Sequence, residues 1–200
     1  MDVEILLVFL LSTSLLTISP GPDILYVFYK SISDGKNPAV KTVFGLTTGL
    51  FFHTFLLVIG FSILIKNNQT IFFLIKIFGF LYFLFLALNI LFKNKKSNSN
   101  KLIKTNNDFF VGLMMNLLNP KVSLFFIAFF PGFIFSDSII IEIQFLVLGV
   151  IFWFVATSIF LVVVFISSTF KNQIQDLLDN KNLKYVQALV FLLVAIWIIK

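Results

Sequence analysis

Ser19-Pro20-Gly21-Pro22-Asp23 interrupts an apolar run that starts at Val3, and Asn116-Leu117-Leu118-Asn119-Pro120-Lys121 interrupts another that starts at Phe109. A proline has no N–H and clashes with the turn before it, so a helix must kink or break at both places. In hydrocarbon the carbonyls freed by a break are costly unless protein or water satisfies them, which confines such breaks to a polar interior. Pro22 suits the first position of a new helix behind Gly21, and Asn119-Pro120 repeats the arrangement with Asn as N-cap. The expectation is two half-helices that restart within the bilayer, each presenting unpaired amides and a partial positive charge suited to a carboxylate. The plain alternative is a pair of packing kinks. Two breaks in matching spans, each beside a charge, favour a site.

The chain around these motifs demands lipid. Its 200 residues are 59% hydrophobic and 12% charged, with 29 Phe, whereas soluble domains run near 45–50% apolar and about 25% charged. The net charge of +6 rests on Lys alone, since there is no Arg. The basic residues lie in loops without interleaved aromatics, so the charge reads as a topology signal, with no nucleic acid as partner. The absence of Cys excludes disulfides, thiolate metal sites and cysteine nucleophiles. The acidic start Met1-Asp2-Val3-Glu4 lacks the basic flank of a secretory signal, so the first apolar run reads as a retained helix.

A span needs roughly 20 apolar residues. The stretches are Val3 to Ser19 with a tail from Pro22 to Ser33, Ala39 to Ile65, Ile71 to Phe92, Phe109 to Phe135, Ile139 to Ile166, and Leu183 to Ile199. A polar segment, 93–108, divides them. Lys30, Lys36 and Lys41, then Lys93, Lys95, Lys96, Lys101 and Lys104, then Lys171, Lys181 and Lys184 fall on one side; Lys66 and Lys200 fall on the other. The positive-inside rule puts the basic loops in the cytoplasm and both termini outside. The expected fold is an all-α integral membrane protein: six transmembrane helices as two inverted three-helix repeats, spans one and four broken at proline. The single membrane domain, 1–200, divides into a first repeat 1–92, a cytoplasmic linker 93–108 and a second repeat 109–200. Inverted repeats of this kind mark many secondary transporters.

The candidate substrate-binding residues are Pro20, Gly21, Pro22, Asp23, Asn116, Asn119, Pro120 and Lys121. A charge deep in the bilayer faces a cavity or a partner. Lys121 stands where the dipole of its own helix disfavours a cation. Asp23, a substrate carboxylate, or both in turn could compensate it; a snorkelling Lys is the alternative. His53, in mid-span, reads either as a proton carrier together with Asp23 or as a neutral packing residue. Gly45 and Gly49 form a small-residue face for close helix contact.

On these residues the sequence resembles the lysine exporter (LysE/RhtB) family. The resemblance is carried by Ser19-Pro20-Gly21-Pro22-Asp23, Gly35, Gly45, Gly49, His53, and Phe110-Val-Gly-Leu-Met-Met-Asn-Leu-Leu-Asn-Pro-Lys-Val-Ser-Leu-Phe-Phe126. It implies a six-span plasma-membrane exporter of amino acids or related small molecules from bacterial cells, driven by an ion gradient. Where the family's first motif often has Asn, this chain has Asp23, which adds a negative charge at the break. The expected partners are a small-molecule substrate, a coupling ion expected to be a proton, the lipid bilayer and, as one assembly, a homodimer. No cofactor, metal or catalytic residue is expected: there is no P-loop, no His-Glu-x-x-His and no carboxylate pair within the spans. The competing readings are an exporter of metal or other cations in the same superfamily and a non-transporting membrane scaffold.

Overall fold

The computed structural model describes residues 3–19, 21–67, 69–92, 107–169 and 183–199. Among them every regular element is helical: α1 (Val3–Ile18), α2 (Pro22–Ser33), α3 (Lys36–Asn67), α4 (Gln69–Phe92), α5 (Asp108–Leu117), α6 (Pro120–Leu124), α7 (Ile141–Thr169) and α8 (Leu183–Ile199). Pro20, residues 93–106 of the expected linker, and Lys171, Lys181 and Lys200 lie outside the described residues. The second, third, fifth and sixth apolar stretches fall on α3, α4, α7 and α8, with ends within a few residues of the expected ones.

Two helices, Lys36–Gly60 and Ile141–Ser167, are long and apolar enough to cross a membrane, and counting each bent pair as one span gives up to four among the described residues. The bent pairs are α1 with α2, at 56°, and α5 with Pro120–Phe133, at 48°. Large apolar side chains such as Phe55, Leu56, Phe78 and Phe154 are exposed, which suits lipid and not water.

Lipid tails supply no hydrophobic drive between helices, so close backbone approach has to hold the bundle. Helix α3 packs along α5 and α7, and α4 packs along α8. Gly45 and Gly112 make the first contact possible: a Cβ on Gly45 would lie 2.9 Å from the Leu113 nitrogen, and one on Gly112 would lie 3.0 Å from the Leu46 nitrogen. Gly149 similarly admits Thr54 between α3 and α7.

Beyond α6 the helix changes pitch. Phe125–Phe129 form a π-helical turn and Phe130–Phe133 a 3₁₀ turn. Pro131 has no N–H for the Ile127 carbonyl and crowds it, so the preceding turn widens, with Phe130 N–H reaching back to Phe125 O. The turn stacks Phe125 on Phe129 and Phe126 on Phe130, with centroids 4.4 and 4.3 Å apart, and Phe9 meets Phe130 edge-on at 5.1 Å. Gln144, wholly buried, ties down the non-helical link that follows. Its Oε1 accepts from the backbone N–H groups of Phe135 and Ser136 at 2.8 and 3.0 Å, and its Nε2 donates to the carbonyls of Ser136 and Ile139 at 2.7 and 2.6 Å.

Candidate functional site

Helix α1 loses its last donors for a reason written in the sequence. The Leu16 carbonyl would take the N–H of residue 20, and a proline has none. Lys121 supplies the replacement: its Nζ donates to Leu16 O at 3.3 Å and to Ser19 O at 3.5 Å. A cation at a helix C-terminus also meets the negative end of the dipole. Thus a lysine ill placed at the start of α6 is well placed at the end of α1. Gly21 makes the room, since a Cβ there would lie 3.0 Å from Lys121 Nζ.

Asp23 stands in the first turn of α2, 4% exposed, where a carboxylate suits the dipole. Its Oδ2 accepts from Asn119 Nδ2 at 2.7 Å, while its Oδ1 is buried with no hydrogen-bond partner. Gly21 is the N-cap of α2 and no side chain caps that end.

Asn119 serves both charges. Besides holding Asp23, its Oδ1 accepts from the Lys121 backbone N–H at 3.0 Å, and its carbonyl accepts from Val122 and Ser123 at 3.0 and 3.1 Å. The amides at the start of α6 are therefore filled from within, contrary to the expectation of bare amides at both restarts. Asn119 spends its own groups on them. Of the two restarts, the α2 end lacks a side-chain cap.

Asn116 is buried one turn before the second break. Its carbonyl takes the Asn119 N–H at 3.1 Å and lies 3.4 Å from His53 Nε2. A carbonyl only accepts, so this contact is a hydrogen bond in the tautomer with the proton on Nε2. The ring stacks on Phe126 at 5.3 Å. The Asn116 side-chain oxygen lies against Gly49 and has no hydrogen-bond partner, like Asp23 Oδ1, Ser19 Oγ and Thr157 Oγ1. Left dry, each such group would cost about 1–3 kcal/mol.

The family profile described as LysE type translocator matches residues 14–200. The chain belongs to this family. A homoserine/homoserine lactone efflux protein of Salmonella typhimurium is 31% identical over 71% of this translocator and 70% of the relative. The uncharacterized membrane protein YrhP of Bacillus subtilis is 28% identical over 74% of this chain and 79% of its own length. A leucine efflux protein of Salmonella choleraesuis is 28% identical over 63% and 61%. No solved structure matches.

In this LysE type translocator the two motifs meet. Gly21 lies against Lys121, Asp23 is bonded to Asn119 and Asn119 to the Lys121 backbone, while Asn116 adjoins them through Asn119 and carries His53 on its carbonyl. Pro22 and Pro120 are the exposed first residues of their helices. Asp23 accepts from Asn119 and Lys121 donates to the α1 carbonyls, and no hydrogen bond joins the two charges to one another.

Two features escaped the sequence reading. Ser19 and Thr157 carry orphan hydroxyls; the first sits inside the quoted motif, and nothing in the apolar surroundings of the second marks it. Lys30, counted as a loop charge, is instead buried in α2, 5% exposed. Its Nζ lies 2.5 Å from Asp34 and 2.6 Å from Asp108, and these two carboxylates make the burial tolerable.

Proposed function

We propose that this translocator exports amino acids or related small zwitterionic metabolites from the cytoplasm across the plasma membrane. The carrying observation is the link between the two motifs, in which Asn119 holds one oxygen of Asp23 while the other stays buried and unpartnered. A substrate ammonium completes Asp23 Oδ1, and its carboxylate meets Lys121 and the uncapped start of α2. Pro20, Gly21, Pro22, Asp23, Asn116, Asn119, Pro120 and Lys121 form the site in this reading. The relatives named for efflux of homoserine, homoserine lactone and leucine support an amino-acid cargo.

The proposed frame is six spans arranged as inverted repeats, 1–92 and 109–200, joined by a cytoplasmic linker over 93–108, with both termini outside. One repeat rocks against the other to expose the site alternately. A proton gradient drives export, with Asp23 or His53 as the carrier. The loop charges and the bent pairs support this layout.

The test is expression in cells challenged with toxic levels of homoserine, leucine, other amino acids and their analogues, and separately with cadmium, followed by direct efflux measurement. Resistance to one or more amino acids with faster efflux of the same compound is the expected result. Resistance to cadmium alone would assign the chain to cation export and overturn the reading.

A further inference from the structure

Helices α2 and α5 run from the site to a second crossing. Asp23 and Lys30 are about 10 Å apart along α2, and Asn116 and Asp108 are about 12 Å apart along α5. At the near end the crossing is the Asp23–Asn119 hydrogen bond. At the far end it is the Lys30–Asp108 ion pair, 2.6 Å long, on the side of the basic loops.

We infer that the Lys30–Asp108 pair is the gate that closes the site toward the basic loops and parts to admit solute, an inference that rests on the export reading. Three observations favour a gate over a fixed clasp. Lys30 has a second carboxylate, Asp34, one turn along its own helix. When Asp108 withdraws, Lys30 remains paired, and the heavy penalty of a lone buried charge is avoided. Asp108 in turn keeps the first-turn position of α5, where the helix dipole stabilises it without Lys30. The two helices also have different main neighbours. Helix α5 is keyed to α3 through Gly45 and Gly112, whereas α2 is tied to α7 by Ser31 Oγ donating to Val164 O at 2.9 Å, and α2 and α5 touch each other little. Few other contacts between them have to break when the pair parts. Beyond α6 the chain continues into the buried, stacked rings of Phe125, Phe126, Phe129 and Phe130.

The chain has no Cys, so Ser19→Cys places a unique thiol beside the site, at a residue 3% exposed. Right-side-out and inverted membrane vesicles carrying the full chain are treated with a membrane-impermeant methanethiosulfonate reagent. With the gate intact the thiol reacts slowly from either side. Asp108→Asn or Lys30→Gln is expected to raise the rate from the basic-loop side about ten-fold or more, a modest shift of population toward the open state, and to leave the other side unchanged. Asp108→Glu keeps the pair and the slow rate. The two opening variants are independent, so either one that reaches the membrane folded suffices. A rate unchanged from the basic-loop side, or raised equally from both sides, overturns the gate. Thiol labelling needs no knowledge of the solute, so the gate fails or stands separately from the cargo assignment.

Discussion

Lys121 Nζ lies 3.3 Å from the Leu16 carbonyl, the acceptor that the proline at position 20 deprives of its N–H. One side chain thereby repairs the first break from the start of the second. Asn119 does the converse, capping its own helix while holding Asp23 in the other. The first break is completed from beyond the second, by Lys121, while the second is capped from within and tied back to the first through Asp23. The groups proposed to bind solute are thus the same ones that join the two bent pairs.

Lys121 separates a structural from a recognition role. Lys121→Gln keeps an N–H donor for the α1 carbonyls and removes the charge; it should fold normally yet lose carboxylate recognition, with export down about ten-fold or more, since charge-assisted bonds are about twice as strong as neutral ones. Lys121→Met leaves the carbonyls of Leu16 and Ser19 unpaired and should destabilise by about 2 kcal/mol or more. Thermal unfolding in detergent together with efflux rates checks both. Normal efflux by Lys121→Gln would remove the lysine from the binding role.

Asn119→Ala removes the cap of α6, worth about 1 kcal/mol, and strands Asp23 as well, so a loss of about 2–4 kcal/mol is expected from the two together. Asn119→Asp is the sharper probe. It retains the acceptor for the Lys121 N–H but sets a carboxylate against Asp23, so the cap survives while the link between the halves is repelled. Asn119→Asp should be the less active of the two. Activity of Asn119→Asp equal to that of the unaltered chain would mean that the link to Asp23 carries no weight.

How much of this could be read from residues alone follows from which effects are local. The Asn119 cap was legible because a cap acts within one turn, and the two bent pairs fall at the proline motifs for which a bend was expected. The bounds of α3, α4, α7 and α8 follow from apolar length. The partner of Asp23 was not legible, because a hydrogen bond across 96 residues depends on how the halves dock. Lys30 was misjudged as a loop charge for a related reason: its neighbour Asp34 is visible in sequence, but Asp108 comes from another helix. The widened turn at Phe125–Phe129 had a visible cause in Pro131, though a proline alone does not say whether a helix will kink, break or widen.

The proposed proton coupling assigns different fates to Asp23 and His53. The His53 Nε2–H is engaged with the Asn116 carbonyl and the ring is stacked on Phe126, whereas Asp23 retains a buried, unpartnered oxygen. Asp23→Asn is therefore expected to abolish export driven by an imposed pH gradient in vesicles. His53→Gln, which preserves a donor for the carbonyl, should retain it. The opposite outcome would transfer the proton to the histidine.

Three glycines test whether close backbone contact or local flexibility holds the bundle. A Cβ at Gly45 would run into the α5 backbone at Phe109 and Leu113, and nothing there is the far end of a flexible side chain. Gly45→Ala must push α3 from α5, so a loss of about 1–3 kcal/mol is expected, as for other overpacked sites. Gly112→Ala, which meets the α3 backbone at Thr42 and Leu46 from the other side, should cost a similar amount, and the double variant less than the sum, because one separation relieves both. Gly60→Ala has open space around it on the same helix and should be neutral or stabilising by up to about 1 kcal/mol. If the three variants unfold at the same temperature, α3 and α5 are not held by backbone contact, and the keying of α5 to α3 used in arguing the Lys30–Asp108 gate fails.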